Sequence, residues 1–161
     1  MRYRSTRSID GQTAEFSDIL LAGLAPDGGL YLPESYPQLS EQTLDAWRTV
    51  LGEQGYAALA AQVLQLFVDD IATEELASIC RRAYNSDKFG SELVVPVEQI
   101  GDGRLWLAHI SQGPTAAFKD MAMQLLGELF EYELVRRDST LTIVGATSGD
   151  TGSSAESAMA G

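Results

Sequence analysis

Two segments carry residues whose types and spacing suit chemistry. The first is Gly113-Pro-Thr-Ala-Ala-Phe-Lys-Asp120, which joins an expected strand to an expected long helix. Ligands of open α/β sheets sit at the carboxyl ends of strands, where such a loop lies. Lys119 falls in the first turn of that helix. The positive end of the helix dipole disfavours an ammonium there, and Phe118 beside it would desolvate the amine. Both effects favour the neutral amine that a Schiff base needs. A lysine at a helix start, taken alone, is ordinarily a solvated surface residue.

The second segment is Gly145-Ala-Thr-Ser-Gly-Asp-Thr-Gly-Ser-Ser154, again between an expected strand and a helix. Free main-chain N–H groups at a helix start, flanked by Ser and Thr hydroxyls, make an anion site. Glycines let a ligand approach the backbone closely. No lysine follows the last glycine, so this is not a Walker A loop. Gly149 and Gly152 leave the first glycine of the dinucleotide pattern unmatched. Alone, the segment reads as a capped βα turn. Together the two are more specific, because in a parallel sheet both loops face the same edge. A candidate Schiff-base amine beside a nest suited to a carboxylate points to pyridoxal phosphate chemistry on an amino acid.

The elements that must position these loops follow from periodicity. Thr13 is expected to cap a helix with Phe16, Ile19, Leu20 and Leu24 on one face. Residues 23–33 are dense in turn formers and end in an extended run, Leu30 to Leu32. Ser40 opens a second helix to about Leu51, broken by Gly52 and Gly55. Leu59, Val63, Leu66 and Phe67 share a third helical face. Thr73 is expected to cap a fourth helix, with Glu74 and Glu75 in its first turn and Leu76, Ile79 and Cys80 turned inward. Residues 1–90 therefore read as a mostly helical N-terminal domain, with Asn85–Gly90 as a linker. Residues 91–161 change character. Leu93–Val97 and Leu105–Ile110 read as strands, residues 117–137 as a long helix, and Leu141–Ala146 as a buried parallel strand. The fold class is α/β, with the first βα units of a doubly wound domain.

The resemblance carried by these motifs is to threonine synthases. Gly113–Asp120 is similar to that family's cofactor-lysine motif, and Thr147-Ser-Gly-Asp-Thr-Gly152 to the loop facing cofactor and substrate. Tyr3-Arg-Ser-Thr6 and Gly23-Leu-Ala-Pro-Asp-Gly-Gly-Leu-Tyr-Leu-Pro-Glu34 resemble the family's opening segments. The resemblance implies a fold-type II (tryptophan synthase β-like) enzyme of more than twice this length. It implies pyridoxal 5′-phosphate as an aldimine on Lys119, with Phe118 and Asp150 beside the cofactor. Thr147, Ser148, Gly149, Thr151 and Gly152 would hold the substrate. The implied reaction converts O-phosphohomoserine and water to L-threonine and phosphate, with Lys119 moving the protons. The alternatives are a phospho-lyase giving 2-oxobutyrate, or a catalytically silent interaction domain. Ser111-Gln112 stand where many bacterial members carry Phe-His, so that histidine's role is not carried over, and His109 does not replace it. The glycine-rich loop for the cofactor phosphate lies, in the family, downstream of this chain. The 161 residues are therefore expected to be an N-terminal portion, inactive alone.

Composition narrows the rest. Twenty-three acids against eleven bases give a net charge of −12, which argues against nucleic acid and anionic membrane surfaces as partners. The 45% hydrophobic content suffices for a core. One cysteine and one histidine make neither a disulfide framework nor a zinc cluster, and a reducing, cytoplasmic setting is expected. No apolar stretch follows the basic N-terminus, so no secretory signal is read there. Cys80 reads as a buried apolar residue. The acids of residues 120–138 read as the wet face of the long helix.

Overall fold

The computed structural model describes residues 1–160. Its first sheet has three antiparallel strands in the order β2-β1-β3: β1 (Tyr3–Ser5), β2 (Thr13–Ala14) and β3 (Tyr31–Pro33). The turn-rich motif before β3 is what docks it. Asp27 Oδ1 accepts hydrogen bonds from the Ser5 hydroxyl (2.7 Å) and from Gly29 N (2.8 Å). A Cβ at Gly29 would collide with the Ser5 hydroxyl, so only glycine fits this close approach. Thr13 lies in β2 and does not cap the first helix. That helix, α1 (Phe16–Ala22), begins after Glu15, and Asp70 caps it from elsewhere in the chain by accepting from Ser17 N at 2.7 Å.

Leu24 lies beyond the end of α1, and three helices follow, the second of them ending before Leu66 and Phe67. Ser40 caps α2 (Glu41–Gln54) by accepting from Thr43 N at 3.1 Å. Gly52 sits inside this helix and Gly55, at φ 84°, ends it. Then come α3 (Tyr56–Gln65) and α4 (Thr73–Ala83), the latter entered through Ala72 without a side-chain cap. Leu76, Ile79, Cys80 and Ala83 form the buried face of α4. Asn85–Gly90 is no linker. Asn85 caps the short helix α5 (Ser86–Phe89), and Phe89 is fully buried in a cluster with Ala61, Cys80, Ala83, Tyr84 and Val94. An aromatic ring of that size outweighs the polar character of its neighbours.

The Leu93–Val97 run does not form the expected strand. Val94, at φ 58°, turns the chain inward, and the strand β4 begins where that run ends, at Val97–Ile100. It pairs antiparallel with β5 (Leu105–Ala108), from Val97 opposite Ala108 to Ile100 opposite Leu105. Then comes α6 (Asp120–Arg136) and, after residues 137–149, α7 (Asp150–Met159). Leu141–Ala146 is exposed and forms no ladder among the described residues. A parallel strand is held by hydrogen bonds to neighbouring strands, and none of the described strands pairs with this run. The chain is thus α/β: helices with small sheets. No helix among the described residues is long and apolar enough to cross a membrane.

Candidate functional site

The lysine segment is a compact turn ending in α6. Ala116 N donates to Gly113 O (3.0 Å) and Asp120 N to Ala117 O (3.1 Å). Ala116 holds φ 57°, a left-handed conformation that a residue with a Cβ adopts at a cost. Lys119 is the residue from which α6 starts. Its carbonyl accepts from Ala122 N (3.1 Å) and Met123 N (2.9 Å). Its side chain is half-buried and makes no hydrogen bond or ion pair among the described residues. The Nζ lies 4.8 Å from the centroid of the Phe118 ring. Phe118 is itself 53% exposed. It turns its π face to the amine rather than enclosing it.

The second segment is organised by Thr147. Its Oγ1 accepts from Gly149 N (3.2 Å) and Gly152 N (3.0 Å), and so caps α7. A Cβ on Gly152 would come within 2.6 Å of that oxygen, so glycine is required for the cap to close. Gly149 sits at φ 137°, which side chains rarely adopt. With Thr147 committed, the groups left for an anion are the Ser148 and Thr151 hydroxyls and the first N–H groups of α7. Asp150 is exposed at the first position of that helix. Thr147, Thr151 and Gly152 line a cavity of about 710 Å³ together with Leu141, Ile143 and Ala155. Lys119, Phe118 and Asp150 are not in its walls.

What joins the two segments is a contact the sequence did not advertise. The Thr115 hydroxyl lies 3.0 Å from the Ser154 hydroxyl on α7, and it donates to Asp120 Oδ1 at 2.8 Å. Asp120 and Ser154 are fully buried. So is Glu133, which means the acids of α6 are not simply its wet face. Those that have partners are drawn in, and Glu128, held by Arg82 (2.6 Å) and Lys88 (3.1 Å), is a third. The available signal was position. An aspartate at the first residue of a helix, five residues after a threonine, is placed to cap the turn before it. His109 follows β5 and lies 3.5 Å from Glu98 on the adjacent strand, apart from both segments.

The class that emerges is an α/β chain presenting an unpaired amine and a hydroxyl-lined nest at two helix starts tied to each other. Comparison with known proteins gives the family. The description "Threonine synthase N terminus" matches residues 2–84, more than half of the chain, and the chain belongs to that family. It is 64% identical over its whole length to a threonine synthase of Corynebacterium glutamicum, covering 33% of that protein. It is 48% identical to one of Methylobacillus glycogenes, covering 34%. Among solved structures, PLP-bound threonine synthase of Brucella melitensis superposes on 99% of this chain and 33% of its own, at 42% identity and a TM-score of 0.87. The chain thus spans about a third of the length of the relatives it matches.

Proposed function

We propose that these 161 residues act within a threonine synthase, a PLP-dependent carbon–oxygen lyase that converts O-phosphohomoserine and water to L-threonine and phosphate. The observation that carries this reading is the half-buried, unpaired Lys119 amine at the start of α6, joined through Thr115 and Ser154 to the nest at the start of α7. The donor set fits the group: an amine with no competing partner, and hydroxyls and N–H groups for a carboxylate. Pyridoxal phosphate, when bound, supplies the electron sink for charge developing at the substrate carbons.

The residues of this chain do the remaining work. Lys119 Nζ would hold the cofactor and, when displaced by substrate, move protons at Cα and Cβ. Phe118 and Asp150 would flank the cofactor. Ser148 and Thr151, with the N–H groups at the start of α7, would bind the substrate carboxylate. Thr147, Gly149 and Gly152 would keep that helix start open by making the cap. Residues 1–90 serve as the N-terminal domain and 91–161 as the beginning of the cofactor domain. The two parts share a core, since Met121 and Leu125 pack on the Ala61–Phe89 cluster. A single buried thiol, Cys80, is in keeping with a cytoplasmic enzyme.

Two measurements test the reading. The full-length protein is assayed for threonine and phosphate from O-phosphohomoserine. Threonine as product supports the proposal, and 2-oxobutyrate or no turnover overturns it. Lys119→Ala is expected to abolish activity and the near-ultraviolet to visible band of the bound cofactor. The 161-residue chain alone is expected to release no phosphate, because the Leu141, Ile143 and Val144 run that leads into the nest is exposed.

A further inference from the structure

The buried side chains behind the lysine turn carry an inference that rests on the role of Lys119 proposed above. Asp120 has no exposed surface, although an aspartate at a helix start serves the dipole equally well in water. Its carboxylate is directed backwards instead. Oδ2 accepts from Thr115 N and Oδ1 from the Thr115 hydroxyl, both at 2.8 Å. The single hydroxyl proton of Thr115 is therefore committed to Asp120, and in the 3.0 Å contact with Ser154 it is Ser154 that donates. The order is Ser154 to Thr115 to Asp120, running from α7 into the first residue of α6. Gly113 makes room for it, because a Cβ there would collide with the Asp120 side chain. The left-handed Ala116 lies inside the loop that this relay closes.

We infer that Asp120 is a positioning residue. Through Thr115 and Ser154 its carboxylate fixes the Lys119 turn against the start of α7, so that the amine and the nest keep one relative placement. A buried carboxylate accepting two hydrogen bonds is costly to disturb, which makes it a stiff anchor. The lysine then depends on a group that faces away from any ligand.

The test uses the full-length protein carrying Thr115→Val, Thr115→Ser or Asp120→Asn, prepared without cofactor. Amide exchange is followed at residues 147–152, and the rate at which added pyridoxal phosphate becomes fixed to Lys119 by borohydride is measured. Thr115→Val is expected to speed exchange at 147–152, and to slow fixation, by about tenfold each, the loss of roughly one charge-assisted hydrogen bond. Thr115→Ser is expected to behave as wild type, and Asp120→Asn as Thr115→Val. Wild-type values in Thr115→Val overturn the inference, and so does a Thr115→Ser as impaired as Thr115→Val. If Asp120→Asn does not fold, the Thr115 pair decides. If Thr115→Val does not fold, Ser154→Ala decides, with the same directions expected and wild-type values overturning. A wild-type protein that fixes no cofactor at Lys119 defeats the proposed function instead, and the exchange measurement still judges the relay.

Discussion

The Tyr84 hydroxyl, at the end of α4, donates a 2.8 Å hydrogen bond to the main-chain carbonyl of Met121, two residues beyond Lys119. The helical part of the chain thereby grips the lysine helix at its first turn. Burial, then the nearby Tyr56 and Cys80, push the Tyr84 phenol far above its ordinary range, so it remains a donor at any working pH. Tyr84→Phe keeps the ring packed on Tyr56 and Phe89. It is expected to cost about 1 kcal/mol of unfolding free energy, measured by denaturant titration of the full-length protein. A wild-type midpoint would remove this bond from the account.

The far end of α6 is held by charge. Arg136 Nη2 (2.8 Å) and Arg137 Nε (2.9 Å) pair with the buried Glu133, while Arg137 Nη2 reaches Ser17 O at 2.8 Å on α1. Burial pushes the Glu133 carboxyl up, and the hydrogen bonds from Arg136 and Arg137 outweigh it, leaving it below its ordinary value of 4.5. A carboxyl lowered by folding stabilises the fold fully above that ordinary value. Its contribution is lost as pH falls through the lowered folded value. Glu133→Gln should therefore flatten the acid side of the stability profile below about pH 4.5. An unchanged acid limb in thermal melts would contradict this.

Cys80 makes the opposite prediction. Burial pushes its thiol from 9.0 up to about 11. In the unfolded chain the thiol ionises first, so its contribution is intact below about pH 9 and declines as pH rises towards 11. The thiolate is the reactive form. Alkylation of the folded protein at pH 8 is expected to be slower than that of the denatured protein by orders of magnitude, read by mass spectrometry. Rapid labelling under native conditions would show that the α4 core opens.

Gly127 marks where α7 crosses α6. A Cβ there would collide with the Ala158 carbonyl, a main-chain atom that cannot rotate away. Gly127→Ala gains helix propensity on α6 but forces the helices apart. A net loss of about 1–3 kcal/mol is expected. Because α7 carries the proposed anion nest, the KM of the full-length protein for O-phosphohomoserine should rise as well. A stabilised Gly127→Ala protein would mean that the crossing is softer than it looks.

The local chemistry was legible in the chain itself. Ser40 before a periodic run predicts the start of α2, and the Leu76, Ile79 and Cys80 spacing predicts the buried face of α4, because both depend on residues within a few positions of each other. The same holds for Lys119 at a helix start and for the glycine–threonine turn before α7. Tertiary structure decided what depends on distant partners. Phe89 turns an apparent linker into core because Ala61, Tyr84 and Val94 surround it. Asp70 caps α1 from a remote segment. Leu105–Ala108 pairs antiparallel with Val97–Ile100, while Leu141–Ala146, which reads as a buried parallel strand, forms no ladder among the described residues. Strand formation needs a neighbour as well as propensity. Asp120 and Glu133 look like ordinary surface acids on a helix, and only the placement of Thr115, Ser154, Arg136 and Arg137 makes their burial affordable. Side-chain type fixes what a residue can bond to, and the fold fixes which partner arrives.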